Sequence, residues 1–353
     1  MNSGAMMFLV FLLIFVSILL GLYNFNDRCK RFITKSVQQY AALIALILIF
    51  LFAICWLKGD FYGPENLRNI LSQNACKGMV AVGMTLVIIA GGIDLSVGSM
   101  VGLLGILTLL CLNKTTSIPE AAAVAIFGGA TLGLINGLLI SYGRIAPFVA
   151  TLAGLGAFRS LAMAITNAGQ VTTTNESFEK IASGGIRVPG LMAAGGRPLI
   201  LGWPILIFFA LAFIAATILN KSVYGRRLIA TGSNEQASEY SGIKTTQIKL
   251  ISYVILGLMT GIASLCVASQ YNSASPATQG IYFELDAIAA VVIGGTSLAG
   301  GRGKIGSTVF GVLILGIVDN MLAIKNIDSN WQGCVKGVII LLAVLLQRSS
   351  SRK

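Results

Sequence analysis

The stretch LVIIAGGIDLSVGS at residues 86–99 interrupts a long apolar run with two glycines, an acid and two hydroxyl side chains. The glycines allow the backbone to leave a helix, and Asp94 or Ser96 can accept hydrogen bonds from the N–H groups that open the next helix. A carboxylate at the centre of a bilayer costs about 2.5–3.5 kcal/mol, so something must offset it. The stretch predicts a helix break. This break can line a polar pathway, or it can be a capped break that only changes the direction of two helices, and the two interpretations are compatible. Its candidate residues are Gly91, Gly92, Asp94, Ser96 and Ser99.

The composition around this break indicates a membrane protein. Apolar residues make up 56% of the 353 residues, and another 41 are glycine. Charged residues reach only 11%, where about 25% is usual for soluble domains. A soluble globule could not bury so much apolar surface, which excludes a soluble enzyme. Abundant glycine is typical of closely packed membrane helices.

The residue types that are missing narrow the chemistry. The sequence has no histidine, and its six cysteines are scattered without a C-x-x-C pair. Acid–base catalysis by histidine and histidine-containing metal sites are therefore excluded, and we expect no metal, catalytic residue or cofactor in this chain. The net charge of +12 arises mostly from short loops between apolar runs, which predicts contact with anionic lipid rather than with nucleic acid.

The apolar segments predict an all-α polytopic membrane protein with about ten core transmembrane helices and one extra N-terminal helix. A span needs about 20 apolar residues. The segment 283–294 is too short to cross alone and predicts a half-helix shielded by protein. We expect an extra helix with a basic cytoplasmic linker over 1–37, a permease domain over 38–347 and a cytoplasmic tail over 348–353. The predicted segments are 5–23, 38–57, 67–90, 95–112, 119–142, 147–167, 199–220, 248–271, 283–294, 305–324 and 331–346.

The basic residues predict the orientation. Alternation of the core segments places 15 of the 25 lysines and arginines on one side and seven on the other. The richer side is expected to be cytoplasmic, together with the C-terminus and the polar region 221–249. The longest loop, about 168–198, is then expected outside.

A second glycine break, GGTSLAGGRGKIG, occupies residues 294–306. It contains a G-x-G-x-x-G string at 301–306, but no βαβ unit surrounds it, so a dinucleotide site is rejected. It is not a P-loop either, because Ile305 follows Lys304 where that motif needs serine or threonine. The chain therefore carries no recognisable ATPase. The candidate residues of this break are Gly294, Gly295, Thr296 and Ser297.

A third stretch, residues 224–243, predicts a short cytoplasmic helix. Ser233 and Gln236 match a capping box, and Gly242 suits the end of a helix. About two turns do not persist alone in water, so a partner or neighbouring loops must hold the helix, and an ordinary ordered loop stays the alternative. The candidate residues for coupling to an ATPase are Ser233, Asn234, Glu235, Gln236, Ala237 and Gly242.

Five isolated charges lie in or near the apolar segments. Ionisable residues inside a membrane are functional hypotheses by default, although long side chains such as Lys77 and Lys336 can instead reach an interface. No single one is singled out as a substrate ligand. The five residues are Lys77, Arg159, Asp286, Asp319 and Lys336.

The three stretches together resemble the permease subunit of ribose-type bacterial ABC sugar importers. The resembling residues lie at 86–99, 225–243 and 284–307, and the likeness runs from about Ala41 to the C-terminus. The resemblance implies a ten-helix core of the type II importer kind with inverted repeats, in the bacterial inner membrane. It also implies a second permease chain, identical or not, a cytoplasmic ABC ATPase and a periplasmic or lipid-anchored sugar-binding protein. In the family a short cytoplasmic helix fits a cleft on the ATPase, and here 233–242 would take that role.

The expected function is import of a monosaccharide, ribose or a similar pentose or hexose, by alternating access driven by a separate ATPase. The same machinery carrying nucleosides or a furanosyl autoinducer stays an alternative, and an importer of branched-chain amino acids is a weaker one. A stand-alone channel or ion-coupled carrier would not need the short cytoplasmic helix. An intramembrane enzyme would want a paired nucleophile and base, for which the sequence offers no set.

Overall fold

The computed structural model describes residues 27–57, 59–192, 198–327, 333–334, 336–338 and 341. The described residues form helices and two small antiparallel sheets, β1 with β4 and β2 with β3. The elements in chain order are α1 (Asp27–Leu57), α2 (Gly59–Tyr62), α3 (Pro64–Ile89), α4 (Val97–Thr115), α5 (Ile118–Ser141), α6 (Pro147–Thr166), β1 (Val171–Thr172), α7 (Glu176–Ser183), β2 (Gly185–Met192), β3 (Pro198–Gly202), α8 (Trp203–Lys221), α9 (Val223–Ser233), α10 (Glu235–Tyr240), α11 (Thr245–Tyr271), β4 (Ser273–Ala274), α12 (Phe283–Ile293) and α13 (Ile305–Ile324).

The all-α polytopic class predicted from the sequence is confirmed, whereas the count of about ten core helices and one extra helix stays a prediction. Among the described residues, eight helices are long and apolar enough to cross a membrane: α1, α3, α4, α5, α6, α8, α11 and α13. The predicted half-helix is α12, which has only 11 residues. The predicted helix at 5–23 and most of the segment 331–346 lie outside the described residues.

Several local expectations need correction. Helix α1 begins at Asp27, so 28–37, expected as a linker, is helical and continuous with the first span. The segment predicted at 199–220 begins as strand β3, and its helix starts only at Trp203. The expected loop at 168–198 contains a short helix, α7, and most of the hairpin formed by β2 and β3.

Glycine faces set the closest helix packing in the core. Gly129 and Gly133 of α5 meet Gly257 and Gly261 of α11, and each pair is spaced as G-x-x-x-G. A Cβ added at Gly133 would lie 3.0 Å from the Cα of Gly257, so the two backbones touch. Small residues allow the two backbones to approach closely. Close van der Waals packing stabilises helix pairs in lipid, where the hydrophobic effect does not drive helices together.

The loops separate to two ends of the bundle. We call the end that carries residues 221–249 the basic end. The last turn of α3 and the loop 294–304 also lie there, since the amide of Gly301 donates to the carbonyl of Ile89 at 2.9 Å. Helix α7 and the β1–β4 pair lie at the opposite end, where the Ser269 hydroxyl donates to the Phe178 carbonyl at 2.7 Å.

Candidate functional site

The three glycine-rich stretches singled out in the sequence meet at the basic end. A Cβ added at Gly232 would meet the carbonyl of Ile89 and lie 2.7 Å from the amide of Gly301. A Cβ added at Gly300 would lie 2.7 Å from the carbonyl of Gly232 and 3.2 Å from the Cα of Gly91. Three separate backbones are therefore in direct contact. We call this contact the glycine junction and define it by Ile89, Gly91, Gly232, Ser233, Gly300 and Gly301.

The loop that enters the junction from α12 is folded by its own hydrogen bonds. Gly295 has a φ of +84°, and its amide donates to the carbonyl of Val292 at 2.8 Å. The Ser297 amide then donates to the Arg302 carbonyl at 2.9 Å, which closes the loop. Thr296 is fully buried beneath it. The half-helix α12 thus ends in a compact turn that presses on the last turn of α3.

Asp94 is the centre of a buried polar cluster next to the junction, which we call the Asp94 cluster. One carboxylate oxygen accepts from the Ser96 amide at 2.8 Å and from the Ser96 hydroxyl at 2.6 Å. The other accepts from the Asn136 amide at 3.1 Å. Tyr253 closes the cluster by donating to the Ile93 carbonyl at 3.1 Å. Asp94 is only 1% exposed, so these donors offset the cost of its burial.

The structure corrects the expected caps in this break. Ser96 precedes α4 but makes no side-chain capping bond. Its hydroxyl donates to Asp94 instead, and Asp94 accepts the amide that precedes the helix. Ser99 is buried in the first turn of α4. The break therefore joins α3 and α4 through Asp94 and is tied to α5 through Asn136.

The short helix at the basic end is present, with one correction. Helix α10 spans Glu235–Tyr240, and its N-cap is Asn234, whose side chain accepts from the Ala237 amide at 2.9 Å. The expected cap, Ser233, is instead the last residue of α9, a helix that the sequence analysis missed, and its hydroxyl donates to the Ile229 carbonyl. Gly242 ends α10 as expected, with a φ of +78°. The Gly242 and Ile243 amides bond back to Glu239 and Ser238, which is a Schellman motif.

Helix α10 turns a free face outward. Gln236, Ala237 and Tyr240 are exposed, and Tyr240 is 91% exposed. Glu235 forms a 2.6 Å ion pair with Lys249 of α11. Below it, the Tyr224 hydroxyl lies 2.8 Å from the Ser252 hydroxyl, and burial raises the pKa of Tyr224 to about 12. The helix is thus anchored underneath while its outer face stays open.

Four of the five isolated charges come together, which spacing along the chain could not show. Lys77 of α3 lies 2.6 Å from Asp286 of α12, and Lys336 lies 3.1 Å from Asp286 and 3.0 Å from Asp319 of α13. We call these four residues the ion tetrad. Two positive and two negative charges cancel, so the group is far cheaper to bury than four separate ions. The fifth charge, Arg159, lies elsewhere.

The predicted site residues therefore fall into connected groups. Two structural members escaped the sequence analysis, namely Asn136 and Tyr253, which complete the Asp94 cluster. Asn136 could have been found, because an amide within an apolar helix is a polar side chain that needs a partner. Tyr253 carried no such signal, since an aromatic residue in an apolar helix is ordinary.

Comparison with known proteins agrees with this architecture. The family described as "Branched-chain amino acid transport system / permease component" matches residues 66–344. The ribose import permease protein of Bacillus subtilis is 40% identical over 91% of this chain and 97% of its own length. The corresponding protein of Escherichia coli K12 is 39% identical over 90% and 96% of the two chains. The xylose transport system permease protein of E. coli K12 is 33% identical over 90% and 93%. No solved structure matches the chain significantly.

These matches extend over both glycine breaks, the short helix α10 and the ion tetrad. The family description covers branched-chain amino acid systems, whereas these three relatives are named for ribose and xylose. The described residues include eight helices that are long and apolar enough to cross a membrane, and the chain belongs to this family of permease components and is a multi-pass membrane transport subunit.

Proposed function

We propose that this chain is the membrane-spanning subunit of an ATP-driven importer that carries a monosaccharide, of the pentose class, from the periplasm to the cytoplasm. The substrate class comes from the relatives, which are named for ribose and xylose. A sugar is a polar solute whose hydroxyls lose their water in a bilayer, so it needs a protein path.

The glycine junction is the observation that carries this proposal. Helix α10 offers an exposed face but has only six residues, too few to be stable alone. It continues from α9, and Gly232 of α9 touches both Ile89 of α3 and the loop that follows α12. A push on α10 would therefore reach the ends of two membrane segments directly. A channel or ion-coupled carrier has no need for such a connection.

The mechanism follows from this connection. A separate ATPase subunit docks on Gln236, Ala237 and Tyr240 at the basic end, which we place in the cytoplasm because basic residues favour that side. Closure of the ATPase moves α9 and α10 together. Closely packed helices pass between discrete arrangements rather than deforming continuously, so the path opens to one side at a time. A second permease chain and a sugar-binding protein outside complete the assembly.

Co-purification tests the proposal. The chain, tagged at its C-terminus, is extracted gently from native membranes, and its partners are identified by mass spectrometry beside an untagged control. We expect a stoichiometric subunit with a P-loop. The complex is then reconstituted in liposomes with its binding protein and supplied with labelled ribose, xylose and nucleosides. Uptake of a pentose that requires ATP supports the proposal. A chain that purifies alone and moves solute without ATP contradicts it.

A further inference from the structure

The fifth isolated charge, Arg159, belongs to a second polar group, which lies near the middle of the membrane-crossing helices and is partly exposed. Arg159 lies about 18 Å along α6 from Pro147, at 1.5 Å per residue, so it sits near the middle of a helix that is itself long enough to cross the membrane. Its Nη1 group donates to the carbonyls of Pro276 at 2.7 Å and Gln279 at 2.8 Å. Both carbonyls belong to the non-helical segment 275–282 between β4 and α12.

This segment lies at membrane depth. Gln279 and Gly280 pack on the face of α4 that carries Gly98, Gly102 and Gly105, and α4 is a membrane-crossing helix. The following half-helix, α12, has 11 residues and is about 16 Å long, which is half of a bilayer core of about 30 Å. Irregular backbone at this depth is tolerated where it is buried in protein or lines a water-filled cavity.

Each of the three α4 glycines makes room for one polar side chain. A Cβ added at Gly98 would meet the carboxylate of Glu284, and one added at Gly105 would meet the amide nitrogen of Gln279. A Cβ added at Gly102 would lie 2.9 Å from Nη1 of Arg159. The glycine face therefore holds a guanidinium, an amide and a carboxylate in one row. We call Arg159, Gln279 and Glu284 the polar row.

The polar row has unused hydrogen-bonding capacity. The side-chain amide nitrogen of Gln279 is buried and has no partner among the described residues. Among the described residues, Nε and Nη2 of Arg159 also have no hydrogen-bond acceptor, and no side chain donates to the carboxylate of Glu284. Arg159 and Glu284 attract each other but form no direct ion pair. Apart from the two bonds that Nη1 of Arg159 donates and the bond of the Glu284 carboxylate to its own backbone amide, donors and an acceptor stand side by side with hydrogen-bonding capacity unused.

Contact with lipid would be unfavourable for the polar row. Arg159 and Glu284 are each partly exposed, and a charge exposed to hydrocarbon at this depth is costly. The neighbouring surface is exposed in the single chain, since Tyr282 is 62% exposed and Ser160 is also exposed. Sugar hydroxyls both donate and accept hydrogen bonds, and so match a row that combines guanidinium and amide donors with a carboxylate acceptor.

We propose that Arg159, Gln279 and Glu284 form a transient sugar-binding site midway along the translocation path, against the Gly98–Gly102–Gly105 face of α4. This inference rests on the proposed import function and adds where the sugar is held. Release of the sugar stays fast because only a few hydrogen bonds hold it, since the three side chains offer only their remaining donors and acceptor. The ring of Tyr282, next to Glu284, offers an apolar surface for the sugar ring.

Transport assays test the site. In liposomes containing the complete complex, Glu284→Gln is expected to lower the initial rate of labelled ribose uptake about tenfold or more, since a bond to a charged group is lost. ATP hydrolysis stimulated by the ribose-loaded binding protein is expected to stay unchanged, which separates this effect from a loss of structure. Arg159→Gln should behave in the same way. Glu120→Gln, at an exposed helix end, is the matched control with normal uptake.

A thiol-accessibility measurement decides the case where the Glu284 variant fails to assemble. The cysteine introduced by Tyr282→Cys is expected to react with a charged, membrane-impermeant thiol reagent, with or without ATP. Millimolar ribose is expected to lower the rate of this reaction reproducibly, on the order of twofold. Phe213→Cys is the control, because Phe213 is 74% exposed on the membrane helix α8 and should face lipid. Labelling that ribose slows supports the site.

Three results overturn the inference. Normal ribose and xylose uptake by both Glu284→Gln and Arg159→Gln would do so. Absence of labelling at Tyr282→Cys would also do so, and disulfide-linked dimers in that case would assign the row to an interface between two copies. Labelling that ribose does not slow would be the third such result. A wild-type complex that imports neither sugar with ATP would instead defeat the proposed function itself, and this inference with it.

Discussion

Substitution Gly232→Ala isolates the glycine junction with a single added methyl group. Gly232 lies in helix α9, where alanine is favoured over glycine by about 1 kcal/mol on helix propensity alone. The contacts of Gly232 with neighbouring segments instead predict that alanine is unfavourable at this position. The added Cβ would meet the Ile89 carbonyl and lie 2.7 Å from the Gly301 amide, whereas non-bonded heavy atoms are comfortable at about 3.5–4.0 Å. Both neighbours are backbone atoms and cannot rotate away.

The expected magnitude follows from these contacts. The backbones must part by about 1–2 Å to reach that separation, which breaks the 2.9 Å hydrogen bond from Gly301 to Ile89. Overpacking costs about 1–3 kcal/mol and the lost bond about 0.5–1.5 kcal/mol. A total of about 1.5–4.5 kcal/mol shifts the balance between the joined and parted junction by a factor of about 10–2,000. The connection between α9 and α3 should then be lost.

The assay compares uptake with ATP hydrolysis in liposomes that contain the complete complex. If the proposed function holds, Gly232→Ala abolishes most pentose uptake while ATP hydrolysis continues, because the proposed ATPase would still bind α10 but would no longer move α3 and α12. The matched control is Gly306→Ala near the start of α13, where an added Cβ meets nothing within 4 Å. Normal uptake by Gly232→Ala, or equal loss in both variants, would refute the reasoning.

The remaining predictions concern the other groups at the site. Asp94→Leu leaves the three donated hydrogen bonds of its cluster without an acceptor and should cost about 2–5 kcal/mol, read as lower uptake and a lower unfolding temperature in detergent, while normal values would make this residue dispensable. Asp286→Asn weakens contacts to two lysines at 2.6 and 3.1 Å and should lower the free energy of unfolding by about 3–5 kcal/mol. Asp319→Asn, whose lysine contacts are 3.0 and 3.9 Å, should lower the unfolding temperature less. The reverse order would contradict the geometry. Glu235→Arg combined with Gly242→Pro places a cation against Lys249 and removes the left-handed end of α10. We expect the chain to fold but transport to be uncoupled from ATP hydrolysis, and normal uptake would exclude α10 as the coupling element.

The sequence alone was sufficient to predict the fold class and the positions of its breaks. Apolar run length decides whether a helix can cross a membrane, and that is a local property. The short run at 283–294 was therefore recognisable as a half-helix, and α12 occupies 283–293. Glycine at Gly242 signalled the end of α10 for the same reason, because a positive φ is a requirement of the backbone at that residue.

Boundaries between adjacent helices were less predictable. Ser233 and Asn234 are both good capping residues, and the choice depends on whether a preceding helix already includes the first of them. Helix α9 does so, and the Ser233 hydroxyl is used within it. Asn234 is left to cap α10. A local capping pattern does not show which of the two residues the preceding helix includes, so it could not predict the cap.

The groupings of side chains came only from the packing of distant segments. Lys77, Asp286, Asp319 and Lys336 look like four separate charges in the sequence, and they become one neutral tetrad because α3, α12 and α13 pack together with the helical residues near 336. The glycine stretches were visible from their composition, but their contact at Ile89, Gly232 and Gly301 was not. Chain composition sets which groups must avoid lipid, whereas helix packing decides which partners they find, because those partners lie far apart along the chain.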